Sequence, residues 1–158
     1  MPRTINITGL DAKSSKKMAQ HLNVLLASYQ VLYINVRGYH WNIQGTHFFE
    51  LHEKFEAIYN ELLEQLDEIA ERILTLGHTP DHNYSDYVKK SQVKEHKNAN
   101  SHKVCIEGLM NALDTILKHQ REIIDDAQEC SDDRTLDMLS GYMLTQEKLA
   151  WMLKAYLS

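Results

Sequence analysis

His52 and Glu56 stand four residues apart in a long run without Gly or Pro, and so do Asp67 and Glu71. If that run is a helix, each pair shares a face, because residues four apart are neighbours on a helical surface. From Glu56 to Asp67 is eleven steps, and at about 100° per residue this returns to within about 20° of the same direction. One imidazole and three carboxylates therefore lie on a single broad stripe. That donor set suits Fe(II), and also Zn, Mn or Co. A solvated acidic helix face is the plainer alternative, and Glu50, Glu53, Glu61, Glu64 and Glu68 fit it.

The axial spacing narrows the options. His52 and Asp67 are separated by roughly 22 Å along one helix, at about 1.5 Å per residue. No single ion reaches both pairs in one chain. Two copies of the helix packed antiparallel about a twofold axis would bring His52 and Glu56 of one against Asp67 and Glu71 of the other. Such a contact repeats itself and creates two equal sites. His40, just upstream, could complete each. The sequence contains no Glu-x-x-His, the motif that di-iron bundles use twice when the site lies inside one subunit. A metal centre in the middle of a single bundle is therefore not expected.

The elements that must hold these residues are long helices. Met18, Leu22, Leu25, Tyr29, Leu32 and Val36 step by four and three, an amphipathic stripe. They predict a first helix over 13–39, ending near Gly38, with His40 one step further along its stripe. Phe48, Leu51, Phe55, Ile58, Leu62, Leu66, Ile69 and Ile73 predict a second helix over 47–76, with Thr46 as candidate N-cap and Gly77 as stop. Residues 77–101 are polar and read as a crossover with a short helix near 85–90. Val104, Leu109, Leu113, Ile116 and Ile123 predict a third long helix over 102–129, capped by Ser101. Leu136, Leu139, Met143, Ala150, Leu153 and Leu157 predict a fourth over 133–157. Two helices, a long crossover and two more helices describe an all-α, antiparallel four-helix bundle. Residues 1–12 read as a short N-terminal tail and 13–158 as one domain.

Composition agrees. Six Gly and two Pro in 158 residues are too few for the turns of an all-β domain. The 43% hydrophobic content excludes a disordered chain. The most apolar stretch, 22–36, contains Asn23, Ser28, Gln30 and Asn35 and is too short and polar to cross a bilayer. No leader pattern opens the chain, so a cytoplasmic location is expected. Cys105 and Cys130 match no metal or redox spacing. The net charge of −5 argues against a surface built mainly for nucleic acid.

Three blocks carry a further signal: His40-Trp41-Asn42-Ile43-Gln44-Gly45; Phe48-Phe49-x-Leu51-His52-Glu53-Lys54-Phe55-Glu56; and Asp67-Glu68-x-Ala70-Glu71-Arg72. In this order and spacing they resemble the Dps family, the mini-ferritins. The ending Trp151-Met152-Leu153-Lys154-Ala155-Tyr156-Leu157 resembles the family's last helix, and the likeness spans residues 15–157. The resemblance implies a ferritin-like bundle assembled into a hollow homo-dodecamer. The shell would oxidise Fe(II), preferably with hydrogen peroxide, and store the ferric mineral. It implies ferroxidase sites between twofold-related subunits, with His40, His52 and Glu56 from one and Asp67 and Glu71 from the other. The family often has Asp where this chain has Glu56. Further implications are an acidic threefold pore at Asp133 and Asp137, a mineral-nucleating Glu53, and Trp41 and Trp151 near the iron. DNA binding is expected to be weak or absent; a DNA-compacting protein with incidental iron binding is the alternative reading.

Overall fold

The computed structural model describes residues 6–158 and builds them into five helices: α1 (Ala12–Asn42), α2 (Phe48–Thr75), α3 (Tyr84–Lys90), α4 (His102–Glu129) and α5 (Asp133–Tyr156). No strand occurs among the described residues. α1 packs against α2, α4 and the short α3, and α4 against α5. This is the four-helix bundle with a helix in its crossover that the periodicity predicts.

Every residue of the first predicted stripe is buried in α1, and all of the second except half-buried Phe48 are buried in α2. Asp11 caps α1, its carboxylate accepting from the backbone N–H of Lys13 and Ser14, each at 2.9 Å. Ser101 caps α4 as expected, accepting from Val104 N–H. At the end of α2, Gly77 takes φ +85° and His78 N–H reaches back to Ile73 carbonyl at 3.1 Å. That Schellman-type closure needs the left-handed conformation glycine adopts without strain.

Three local expectations are corrected. Gly38 does not stop α1; the helix runs four residues further, to Asn42. A helical Gly costs about 1 kcal/mol relative to Ala, and the burial of Tyr39, His40 and Ile43 just beyond it offsets that. His40 thus sits inside the last turn of α1. Thr46 does not cap α2; His47 occupies that position without a side-chain cap bond and turns its Nδ1 to Glu50 Oε1 at 2.7 Å. Val104 is exposed, so the buried face of α4 starts at Cys105 and Ile106.

The interior of the bundle holds a closed polar ring. Tyr29 hydroxyl donates to Gln120 Oε1 at 2.6 Å, Gln120 Nε2 to Gln146 Oε1 at 2.7 Å, and Gln146 Nε2 to Tyr29 hydroxyl at 2.6 Å. Each group satisfies the next, which lets these buried polar side chains tie α1, α4 and α5 together without an orphaned atom. Tyr142 hydroxyl donates to Glu68 on α2, linking α5 to the helix that carries most of the candidate ligands.

Candidate metal centre

The α1–α2 turn brings His40 and His52 together. Their rings stack with centroids 3.8 Å apart and planes 16° from parallel. His40 Nδ1 donates to the backbone carbonyl of His52 at 2.7 Å, and His52 Nδ1 donates to the carbonyl of His40 at 2.8 Å. A carbonyl oxygen can only accept, so each Nδ1 carries a proton, and in the neutral ring that tautomer puts the lone pair on Nε2. A metal-binding imidazole needs this arrangement, with the far nitrogen anchored and the near one free. Phe48 stacks on His52 at 4.9 Å, and the edge of Tyr59 meets His40 at 5.3 Å. His40 is almost fully buried and His52 half-buried.

The carboxylates do not converge on this pair within one chain. Glu56 is exposed one turn along α2, and Asp67 and Glu71 are exposed nearer its other end. Among the described residues, no three His, Cys, Asp or Glu of a single chain are grouped to hold an ion. The same outward stripe of α2 carries Phe49, Leu63 and Leu74, which are 86%, 50% and 57% exposed. Phe49, Glu56 and Leu63 follow at intervals of seven, as do Asp67 and Leu74, so ligands and bare apolar side chains alternate along one seam.

The remaining predicted residues lie apart. Glu53 is exposed beside His52. Asp133 and Asp137 are exposed on the first turns of α5. Trp41 and Trp151 are both about two-thirds exposed, and the Arg37 guanidinium lies over the Trp41 ring at 4.6 Å.

Other features escaped the sequence. The two backbone carbonyls that fix the histidine tautomers leave no mark on residue type. Asp132 is buried and takes the Arg72 guanidinium at 2.6 Å while capping α5 through Thr135 N–H. Tyr39, next to His40, shares a hydrogen bond between its hydroxyl and His96 Nδ1 at 2.5 Å. Burial pushes the Tyr39 phenol well above its ordinary value, so it is protonated at rest. One signal was available for that pair: Gly108 lies inside α4, where a Cβ would fall 2.3 Å from His96 Nδ1 and 2.6 Å from the Tyr39 hydroxyl.

The comparisons agree with this architecture. The family model for the ferritin-like domain matches residues 19–158. A DNA protection during starvation protein of Porphyromonas gingivalis is 40% identical, the alignment covering 99% of this chain and 98% of that one. General stress protein 20U of Bacillus subtilis is 34% identical over 90% of this chain and 99% of its own. The crystal structure of a Dps protein from Vibrio cholerae O1, described as one of a broad superfamily of ferritin-like diiron-carboxylate proteins, superposes with a TM-score of 0.96 at 48% identity, covering 100% of this chain and 99% of that one. This chain belongs to the Dps family of the ferritin-like superfamily.

Proposed function

We propose that the chain is a ferroxidase that removes Fe(II) and hydrogen peroxide together and stores the ferric product inside a closed shell of twelve copies. The observation that carries this reading is the reciprocal brace of His40 and His52, which engages both Nδ1 atoms and leaves both Nε2 atoms available where α1 meets α2. Glu56 would add a carboxylate from the same copy, and Asp67 and Glu71 would come from a second copy related by a twofold axis. The unpartnered Phe49, Leu63 and Leu74 supply apolar area for that contact, and burying them against a copy of themselves is favourable at about 25 cal/mol per Å². Glu in place of Asp at 56 adds one methylene and reaches the metal in a different rotamer.

The chemistry follows from the donor set. Neutral imidazoles and anionic carboxylates bind Fe(II) and favour the more highly charged Fe(III) as it forms. Two irons side by side give two electrons to one peroxide, so the O–O bond breaks without releasing a hydroxyl radical. Asp133 and Asp137, repeated around a threefold axis, would form an acidic mouth that raises the local Fe(II) concentration, and Glu53 would offer an inner carboxylate to the growing mineral. The bundle, residues 13–158, is the unit of assembly, and the shell would work in the cytoplasm. No helix among the described residues is long and apolar enough to cross a membrane.

Anaerobic Fe(II) addition followed by one dose of peroxide, watched by absorbance, tests this. About two Fe(II) should be oxidised per peroxide, the ratio set by two-electron reduction, and faster than by oxygen. Oxidation no faster than in protein-free buffer would remove the enzymatic reading and leave a non-catalytic or DNA-compacting helical assembly.

A further inference from the structure

α2 and α5 run side by side in the bundle but are not among its closely packed helix pairs. A cleft of about 190 Å³ opens between them. Its floor is the core itself: Leu32 of α1, Ile58 and Leu62 of α2, and Leu109 and Leu113 of α4, all buried. Leu149 and Met152 of α5 supply the facing wall. Three side-chain bonds fix the register of the two antiparallel helices: Tyr142 donates to Glu68, Thr145 Oγ1 to Glu61 Oε1 at 3.3 Å, and Tyr156 hydroxyl to Glu50 Oε1 at 2.5 Å. The cleft lies mainly between the last two of these bridges.

The two ends of the cleft differ in charge. At the inner end the polar groups are already engaged. Glu61 Oε1 accepts from Gln65 Nε2 and Thr145 Oγ1, each at 3.3 Å, and the Gln146 amide is bound into the buried ring with Tyr29 and Gln120. At the other end stand Lys54 of α2 and Lys148 of α5, both exposed. Neither is ion-paired among the described residues, although six other cationic side chains of the bundle and crossover have carboxylate partners. By the register, Lys148 lies opposite Ile58, one turn from Lys54, so the two lysines are within roughly 6 Å of each other along the axis. Hydrocarbon lies below them, and the Glu61 carboxylate repels an anion from the far end. A ligand with an anionic head and an apolar tail matches this arrangement in one orientation only, as expected of a pocket that is mostly apolar with a few placed polar groups.

The cleft also stays open when copies pair. Lys54 and Glu61 are each two residues from a position on the α2 seam, Glu56 and Leu63, and two residues turn about 200° around a helix. Cleft and seam therefore face opposite ways. Its volume, equivalent to about six waters at roughly 30 Å³ each, admits one chain of comparable bulk and excludes a two-chain lipid.

We propose that the α2–α5 cleft binds one medium-chain alkyl carboxylate, its head group at Lys54 and Lys148 and its tail on the leucine floor toward Glu61. The site is independent of the iron chemistry and is tested on the iron-free full chain by isothermal titration calorimetry with sodium decanoate below its micelle concentration. Saturable binding of one decanoate per chain is expected. Affinity should rise about fourfold for each methylene from hexanoate to decanoate, the worth of one buried CH₂. Decanol, with the same tail and no charge, should bind about tenfold more weakly, the size of one charge-assisted contact, and decyltrimethylammonium more weakly still. Lys54→Glu/Lys148→Glu should reverse the order and prefer the cation. Ala57→Trp, at the exposed lip of the cleft, should block decanoate without changing any charge. The ligand series on the wild type decides even where a variant fails to assemble. No saturable binding, equal affinity for the anion and the cation, or decanoate binding undiminished in Ala57→Trp or in the charge-reversed chain overturns the proposal.

Discussion

The Arg72 guanidinium of α2 grips the Asp132 carboxylate at the head of α5 at 2.6 Å, and the carboxylate is almost entirely out of solvent. Arg72 Nε donates to Thr135 Oγ1 at 3.0 Å, and Thr135 returns both its N–H and its hydroxyl to Asp132. One buried pair therefore sets the register between the helix bearing Asp67 and Glu71 and the first turn bearing Asp133 and Asp137. Removing one partner strands the other charge. Asp132→Ala should destabilise the fold by about 3–5 kcal/mol, the cost of breaking a buried ion pair from one side. Asp133→Ala, next along the chain but exposed, should cost under about 1 kcal/mol through the helix dipole. Chemical denaturation of the two variants side by side checks the contrast; equal, small losses would mean that the pair contributes no more than a surface charge.

Each metal site should need two copies of the chain. A His40→Ala/His52→Ala chain keeps its carboxylates, and an Asp67→Ala/Glu71→Ala chain keeps its histidines. Folded together, they should regain one intact site of the two at every mixed interface, although each alone is inactive. The roughly 22 Å between His52 and Asp67 along one helix is the reason. Peroxide-driven iron oxidation by the co-folded mixture is the measurement, and mixtures as inactive as both parents would point to a site within one subunit.

Much of this was legible in the residues. The stripes of α1 and α2 predicted their buried faces because a 3.6-residue period leaves little freedom in which side turns inward. The long helix carrying His52, Glu56, Asp67 and Glu71 followed from its apolar stripe, and the twofold pairing of those residues is the proposal that their spacing prompts. Gly38 misled because propensity is local, while the burial of Tyr39 and His40 beyond it is a tertiary gain. The His40–His52 brace, the Arg72–Asp132 pair and the Tyr39–His96 contact were out of reach because each joins elements distant in the chain, and the brace uses backbone carbonyls that every residue possesses. Gly108 was the exception, a helix-interior glycine whose purpose appears once α1 and the crossover close over it.

His119 predicts a dependence of stability on pH. Its ring is buried in the α1–α4 seam, and its Nδ1 has no hydrogen-bond partner. His21 of α1 faces it at 5.9 Å, itself paired with Asp126, which also holds Lys17; Glu122 on α4 is the acidic neighbour that pulls the other way. Burial first, and then the His21 charge, lower the His119 pKa below its ordinary value of 6.5. As pH falls through that value the unfolded chain binds the proton before the folded one, so acid favours unfolding. The stability from a neutral His119 is complete above about pH 6.5 and is lost progressively below it. His119→Leu should flatten this acid limb by up to about 1.4 kcal/mol per pH unit, the slope of one proton. Denaturation midpoints from pH 7 to pH 5 decide it, and parallel curves for the two proteins would assign the acid sensitivity elsewhere.

DNA figures in the names of several relatives. Residues 1–17 contain Arg3, Lys13, Lys16 and Lys17 against Asp11. Arg3 lies outside the described residues. The three lysines are on the first turns of α1, where the helix fixes their direction. Lys17 is already held by Asp126 at 2.6 Å, an exposed pair that raises the lysine's pKa and occupies its charge. Lys13 and Lys16 remain exposed. Arg3, Lys13 and Lys16 of each copy then act against a chain whose net charge is −5, and a closed shell multiplies both. Long-range repulsion of the phosphate backbone should prevail except where many patches engage at once. Binding to duplex DNA should therefore be weak or absent at neutral pH and about 150 mM salt, near physiological ionic strength. Any binding at low salt should fade steeply as salt rises, because it rests on counterion release. A gel-shift series across salt concentrations settles the point: tight retention near 150 mM salt would show that the N-terminal cations outweigh the acidic shell.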